Sequence, residues 1–135
     1  MADVPGPDLA FRRAWSAAGW AFVALVVFLS LTPDPLPAAE LGRFDVAHAA
    51  AYAWLGYWFA QIHSAPRARL LVAAALACLG IGLEFAQGWT GYRTFSYNDM
   101  RDDAIGALAG VALASTRLGG VLLALDARLA RAISG

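Results

Sequence analysis

The stretch ACLGIGLEFAQGWTGYR, residues 77–93, decides how the chain must fold. Its apolar texture is that of a helix bound for lipid, yet it carries Glu84, Gln87 and Arg93. A carboxylate is costly in hydrocarbon, so ionisable residues inside membrane helices face a bundle interior or a polar cavity and pair there. Glu84 therefore predicts several packed helices with a polar recess near one end.

Composition agrees. Of 135 residues, 60% are hydrophobic and 15% charged, and the mean hydropathy is +0.57. An ordinary soluble domain has about 25% charged residues. All ten basic residues are Arg and the formal net charge is zero, which gives no electrostatic footprint for a nucleic-acid partner. The single Cys78 forms no internal disulfide and leaves the redox compartment open.

A bilayer core needs about 20 predominantly apolar residues as helix. Residues 14–33 carry no charge and end at PDPLP, whose prolines stop a helix. Residues 46–66 form a second uncharged run, and 70–87 a third, broken only by Glu84. The fourth, 104–116, is short unless the helix begins near Asn98 or Asp99. The expectation is an all-α, four-helix transmembrane bundle in one domain, residues 1–135. Its spans cover about 14–32, 46–63, 70–87 and 99–117. In the tail, 118–135, Gly119-Gly120 marks a break. Val121, Leu122, Leu125, Leu129 and Ile133 then share one helical face, and Asp126, Arg128 and Arg131 the other. That pattern suits an interfacial amphipathic helix, with a frayed tail as the alternative. Arg12 and Arg13 ahead of an apolar run also fit a signal peptide, but the run is long for one and PLPAAE is a poor cleavage site, so a retained helix is expected.

Arginine placement orients the bundle. With both termini cytoplasmic, Arg12, Arg13, Arg67, Arg69, Arg117, Arg128 and Arg131 lie inside, against Arg43, Arg93 and Arg101 outside. The positive-inside rule favours this arrangement for a multi-pass protein of a cytoplasmic membrane.

In this topology the start of helix 2, the end of helix 3 and the start of helix 4 meet at similar depth below the outer surface. Asp45, His48 and Tyr52 stack on helix 2 at three- and four-residue spacing. Gly80, Glu84 and Gln87 do so on helix 3, and Asp99, Asp103, Gly106 and Gly110 on helix 4. Gly106 and Gly110 form a small-xxx-small pair suited to close helix contact. The candidate ligand-binding set is thus Asp45, His48, Tyr52, Glu84, Gln87, Arg93, Asp99 and Asp103. Glu84 and Gln87 also have a structural role open to them, as cross-helix hydrogen-bonding groups, and Arg93 could simply neutralise Glu84 or Asp99. His48 has the pKa of a general base, and Ser96 or Asn98 suits a helix cap. His48, Glu84, Asp99 and Asp103 are acceptable ligands for a divalent ion. No spaced metal signature marks them, so no metal is assigned and the cofactor is left unknown.

Four motifs in order, HAAAYAWLG (48–56), GLEFAQ (82–87), the Arg93-Thr94-Phe95-Ser96 to Asp99 loop, and Asp103 with GALAG (106–110), resemble the VanZ-like membrane proteins. The resemblance covers roughly residues 45–110. Family members often have Asp-Lys where this chain has Phe44-Asp45, and Asn at the position of Asp103, so the recess is more acidic here. The resemblance implies a small cell-envelope membrane protein whose namesake is associated with tolerance to the glycopeptide teicoplanin. The expected partner is a membrane lipid or lipid-linked envelope precursor, its polar head held in the outer recess. The alternative is a membrane-embedded hydrolase or transferase using His48 and Glu84 as catalytic groups, with Arg93 stabilising negative charge. An oligomeric transporter is a third reading, and the oligomeric state stays open.

Overall fold

A computed structural model describes residues 8–33 and 44–135. Among them the chain is wholly helical: α1 (Arg12–Leu31), α2 (Phe44–Ile62), α3 (Pro66–Thr90), α4 (Tyr97–Ala114) and α5 (Val121–Ser134). A 3-10 turn, Arg117–Gly120, joins the last two, so the break foreseen at Gly119-Gly120 is real, and the helix before it stops at Ala114.

Two helices, α1 and α3, are each long and apolar enough to cross a membrane. A third crossing is counted if α4 and the segment Arg117–Ser134, bent by 74° at the turn, are taken as one broken span. The four expected spans thus exist as helices at the expected places, but α2 and α4 fall short alone: histidine, glutamine and tyrosine dilute the first, and aspartates open the second. The surface points to an apolar solvent all the same. Phe28, Leu70 and Leu71 are 65%, 66% and 70% exposed, and α1 buries only Gly19 and Ser30. Soluble monomers rarely expose such contiguous apolar area.

The central contact is between α2 and α4. A methyl at Gly56 would lie 2.5 Å from the Ala107 carbonyl, and methyls at Gly106 and Gly110 would run into the backbone at Ala49 and Ala53. The two backbones therefore touch directly, which only glycine at these positions allows. Around this seam Tyr52, Leu55, Ile62 and Ala107 are almost wholly buried. Helix α1 leans on α2 through aromatic edges: Trp15 on Trp58 with ring centroids 5.9 Å apart, and Trp20 on Phe59 at 5.6 Å.

The last helix corrects the sequence reading at one position. Asp126, expected on the solvated side with Arg128 and Arg131, is buried beside Leu122, while Leu125, Leu129 and Ile133 are exposed, as an interfacial apolar face would be. Its carboxylate accepts from the amides of Ala10 (2.7 Å) and Phe11 (3.0 Å) and from the Trp15 indole (2.7 Å). The opening amides of a helix have no partner within it, and α1 has no side-chain cap of its own. Asp126 fills that role from the far end of the chain. Gln61 does the same for α5, its oxygen accepting from the Leu122 amide at 2.9 Å.

Candidate functional site

At the opposite end of the bundle, the first turns of α2 and α4 and the last turns of α3 come together. Gly80 makes the space: a methyl there would sit 2.7 Å from a carboxylate oxygen of Asp103, so its absence lets that side chain enter between α3 and α4. Asp103 is 2% exposed. His48 on α2 faces it, Nδ1 to Oδ1 at 3.4 Å.

Glu84 is 1% exposed and points into the same space. Its Oε2 accepts from the Ser96 amide at 2.8 Å, which pins the loop between α3 and α4. That loop leaves α3 through Gly91, whose φ of 76° is the left-handed conformation glycine supplies at helix ends. Ser96 in turn caps α4, its hydroxyl accepting from the Asp99 amide at 3.2 Å. The chain reversal therefore sets Asp99 opposite Glu84. The charged groups that act on Glu84 are Asp99, His48 and Asp103.

Tyr52 lies one turn along α2 from His48 and is 2% exposed. Asp103 and Glu84 are the charges that act on its ring hydroxyl, which has no hydrogen-bond partner among the described residues. His48, Tyr52, Glu84, Asp99 and Asp103 thus form one polar cluster walled by three helices.

The other sequence-predicted residues are placed differently. Gln87 turns to α1, donating to the Ser30 carbonyl at 2.9 Å, and Tyr92 donates to that of Leu31 at 2.7 Å. Together they satisfy carbonyls in the last turn of α1 that have no partner in the helix. Arg93 is half-buried on the α3–α4 loop. The side chain of Asp45 lies outside the described residues.

A large groove of about 670 Å³ occupies the other half of the molecule, between α1, α2 and α3. Trp20, Phe59, Leu71 and Leu79 line it, with Cys78 exposed there. Its walls are apolar apart from Ser16 and His63, and none of the clustered ionisable groups lines it.

No protein-family model matches the chain, and neither a curated protein nor a solved structure matches it. The case for function rests on the cluster itself.

Proposed function

We propose that the chain is a membrane-embedded binding protein of the cell envelope, holding the polar head of a lipid or lipid-linked precursor in the recess between α2, α3 and α4. One observation carries the reading: two carboxylates, a phenol and an imidazole are gathered at one helix end of an otherwise apolar bundle, all sheltered from its lipid-exposed faces. Such groups are expensive to bury and are spent on ligands or ion paths. On this reading all four of α1–α4 span the bilayer, and α2 and α4 are tolerated because their polar faces meet one another. Both termini lie in the cytoplasm, the recess opens below the outer surface, and α5 rests on the inner leaflet with Leu125, Leu129 and Ile133 in the acyl boundary. The resemblance of its motifs to those of VanZ-like proteins supports the same placement and extends the reading to glycopeptide tolerance.

Hydroxyl or amine groups of the head suit the carboxylates as hydrogen-bond partners, while Arg93 at the rim suits its anionic part. Native mass spectrometry of protein released from membranes tests this. A retained lipid lost in Glu84→Gln and Arg93→Ala supports it; equal retention in both variants rejects it. The alternative is a hydrolase or transferase in which His48 or Glu84 activates water or a hydroxyl. It would require lipid turnover abolished by both His48→Ala and Glu84→Gln.

A further inference from the structure

The geometry points to a divalent transition-metal site, of the Mn2+ or Zn2+ class, held by His48, Glu84 and Asp99. These three residues, one from each wall of the recess, each offer a ligand atom, and the three atoms lie within 4.8 Å of one another. Nitrogen and oxygen ligands sit about 2.0–2.2 Å from such an ion, so its ligands can be up to roughly 4.4 Å apart. Closing that difference takes a small rotation of side chains already in place.

Three further observations bear on the same point. First, Asp103 Oδ1 lies 3.4 Å from His48 Nδ1 and is buried with no hydrogen-bond partner among the described residues, so a carboxylate stands beside the imidazole as it commonly does beside a histidine ligand. Second, Glu84 binds the Ser96 amide through Oε2, and among the described residues no hydrogen bond occupies Oε1. Third, the buried Tyr52 hydroxyl, with no hydrogen-bond partner among the described residues, faces the carboxylates. There it can donate to a ligand oxygen or to an ion-bound water. Electrostatics favours the same occupant: three carboxylates around one imidazole repel each other in a low-dielectric recess, and a dication offsets them. The mixed nitrogen and oxygen donor set, without thiolate, selects Mn2+ or Zn2+ over softer ions.

The site stands whether or not a lipid head occupies the recess, and its test uses no lipid. Full-length protein purified in detergent is stripped with EDTA, equilibrated with Mn2+ or Zn2+, desalted, and its metal counted by mass spectrometry. About one ion per chain is expected. Bound Mn2+ should show nitrogen coupling in pulsed electron paramagnetic resonance, and His48→Ala should remove it. Affinity should fall tenfold or more in Glu84→Gln and Asp99→Asn, about tenfold in Asp103→Asn, and stay at the wild-type level in Asp102→Asn, whose carboxylate pairs with Arg101. Glu84→Gln keeps an oxygen for the Ser96 amide, so its fold should survive. Wild-type protein that retains no ion, retained Mn2+ without nitrogen coupling, or unchanged affinity in Glu84→Gln and Asp99→Asn would each overturn the site.

Discussion

Glu84 and Ser96 are joined by a 2.8 Å hydrogen bond from the backbone amide to the buried carboxylate, and this bond fixes where α4 begins. Because Ser96 caps α4 at the Asp99 amide, the placement of Asp99 depends on the same contact.

Replacing Glu84 with Ala should therefore cost stability even in the absence of any ligand. It leaves the part-buried Ser96 amide without its acceptor, a loss of about 1 kcal/mol or somewhat more. Glu84→Gln keeps an acceptor and should cost less. Thermal unfolding in detergent should rank wild type above Glu84→Gln and Glu84→Gln above Glu84→Ala; an Ala variant as stable as wild type would show that the bond does not hold the loop.

The α2–α4 seam makes a second prediction. A methyl at Gly110 meets the backbone at Ala53, which no side-chain rotation relieves. Gly110→Ala should destabilise the bundle by about 1–3 kcal/mol, and Gly110→Leu should prevent the helices from closing. Gly82, which has open space where a methyl would go, is the control, and Gly82→Ala should leave stability near wild type. Resistance to unfolding in dodecyl sulfate reads the difference.

Much of this arrangement was legible in the sequence. Apolar runs located four helices within a few residues, and spacing along each placed His48, Tyr52, Glu84 and Asp103 on inward faces. Helical periodicity says which residues share a face, but not which neighbour that face meets. Gln87 shares the Glu84 face and still turns to Ser30 of α1, because it stands one turn nearer the helix end, level with unpaired carbonyls. Asp126 was assigned to the wet side of α5 for the same reason: an amphipathic pattern ranks it with Arg128 and Arg131, and nothing in that pattern reveals the uncapped amides of Ala10 and Phe11. Gln61 escaped notice altogether, being a lone uncharged residue in an apolar run. Both stand near a chain reversal, where a helix start needs acceptors.

Asp126 gives the pH prediction. Burial works against its charge, but the Trp15 indole and the amides of Phe11 and Ala10 outweigh that cost and hold the carboxyl below the ordinary aspartate range. A depressed folded-state pKa contributes stability that is present above the unfolded value and is lost as pH falls through the folded one. The stability gap between wild type and Asp126→Asn should be full near neutral pH and shrink as the solution is acidified below the ordinary aspartate range. A gap that stays constant down to acid pH would mean the charge contributes nothing to docking α5.

Tyr52 separates architecture from binding. Its ring is part of the core, and truncation to Ala should cost about 3–5 kcal/mol, as for other large buried aromatics. Its hydroxyl, without a hydrogen-bond partner among the described residues, adds nothing to the fold that phenylalanine would lose. Removing an unsatisfied polar group from a buried site is neutral or stabilising. Tyr52→Phe should accordingly unfold at or above the wild-type temperature, while weakening retention of whatever occupies the recess. Substitution by Phe that lowers stability by more than about 1 kcal/mol would show instead that the hydroxyl is spent on holding the helices together, and that the recess has one fewer group to offer a ligand.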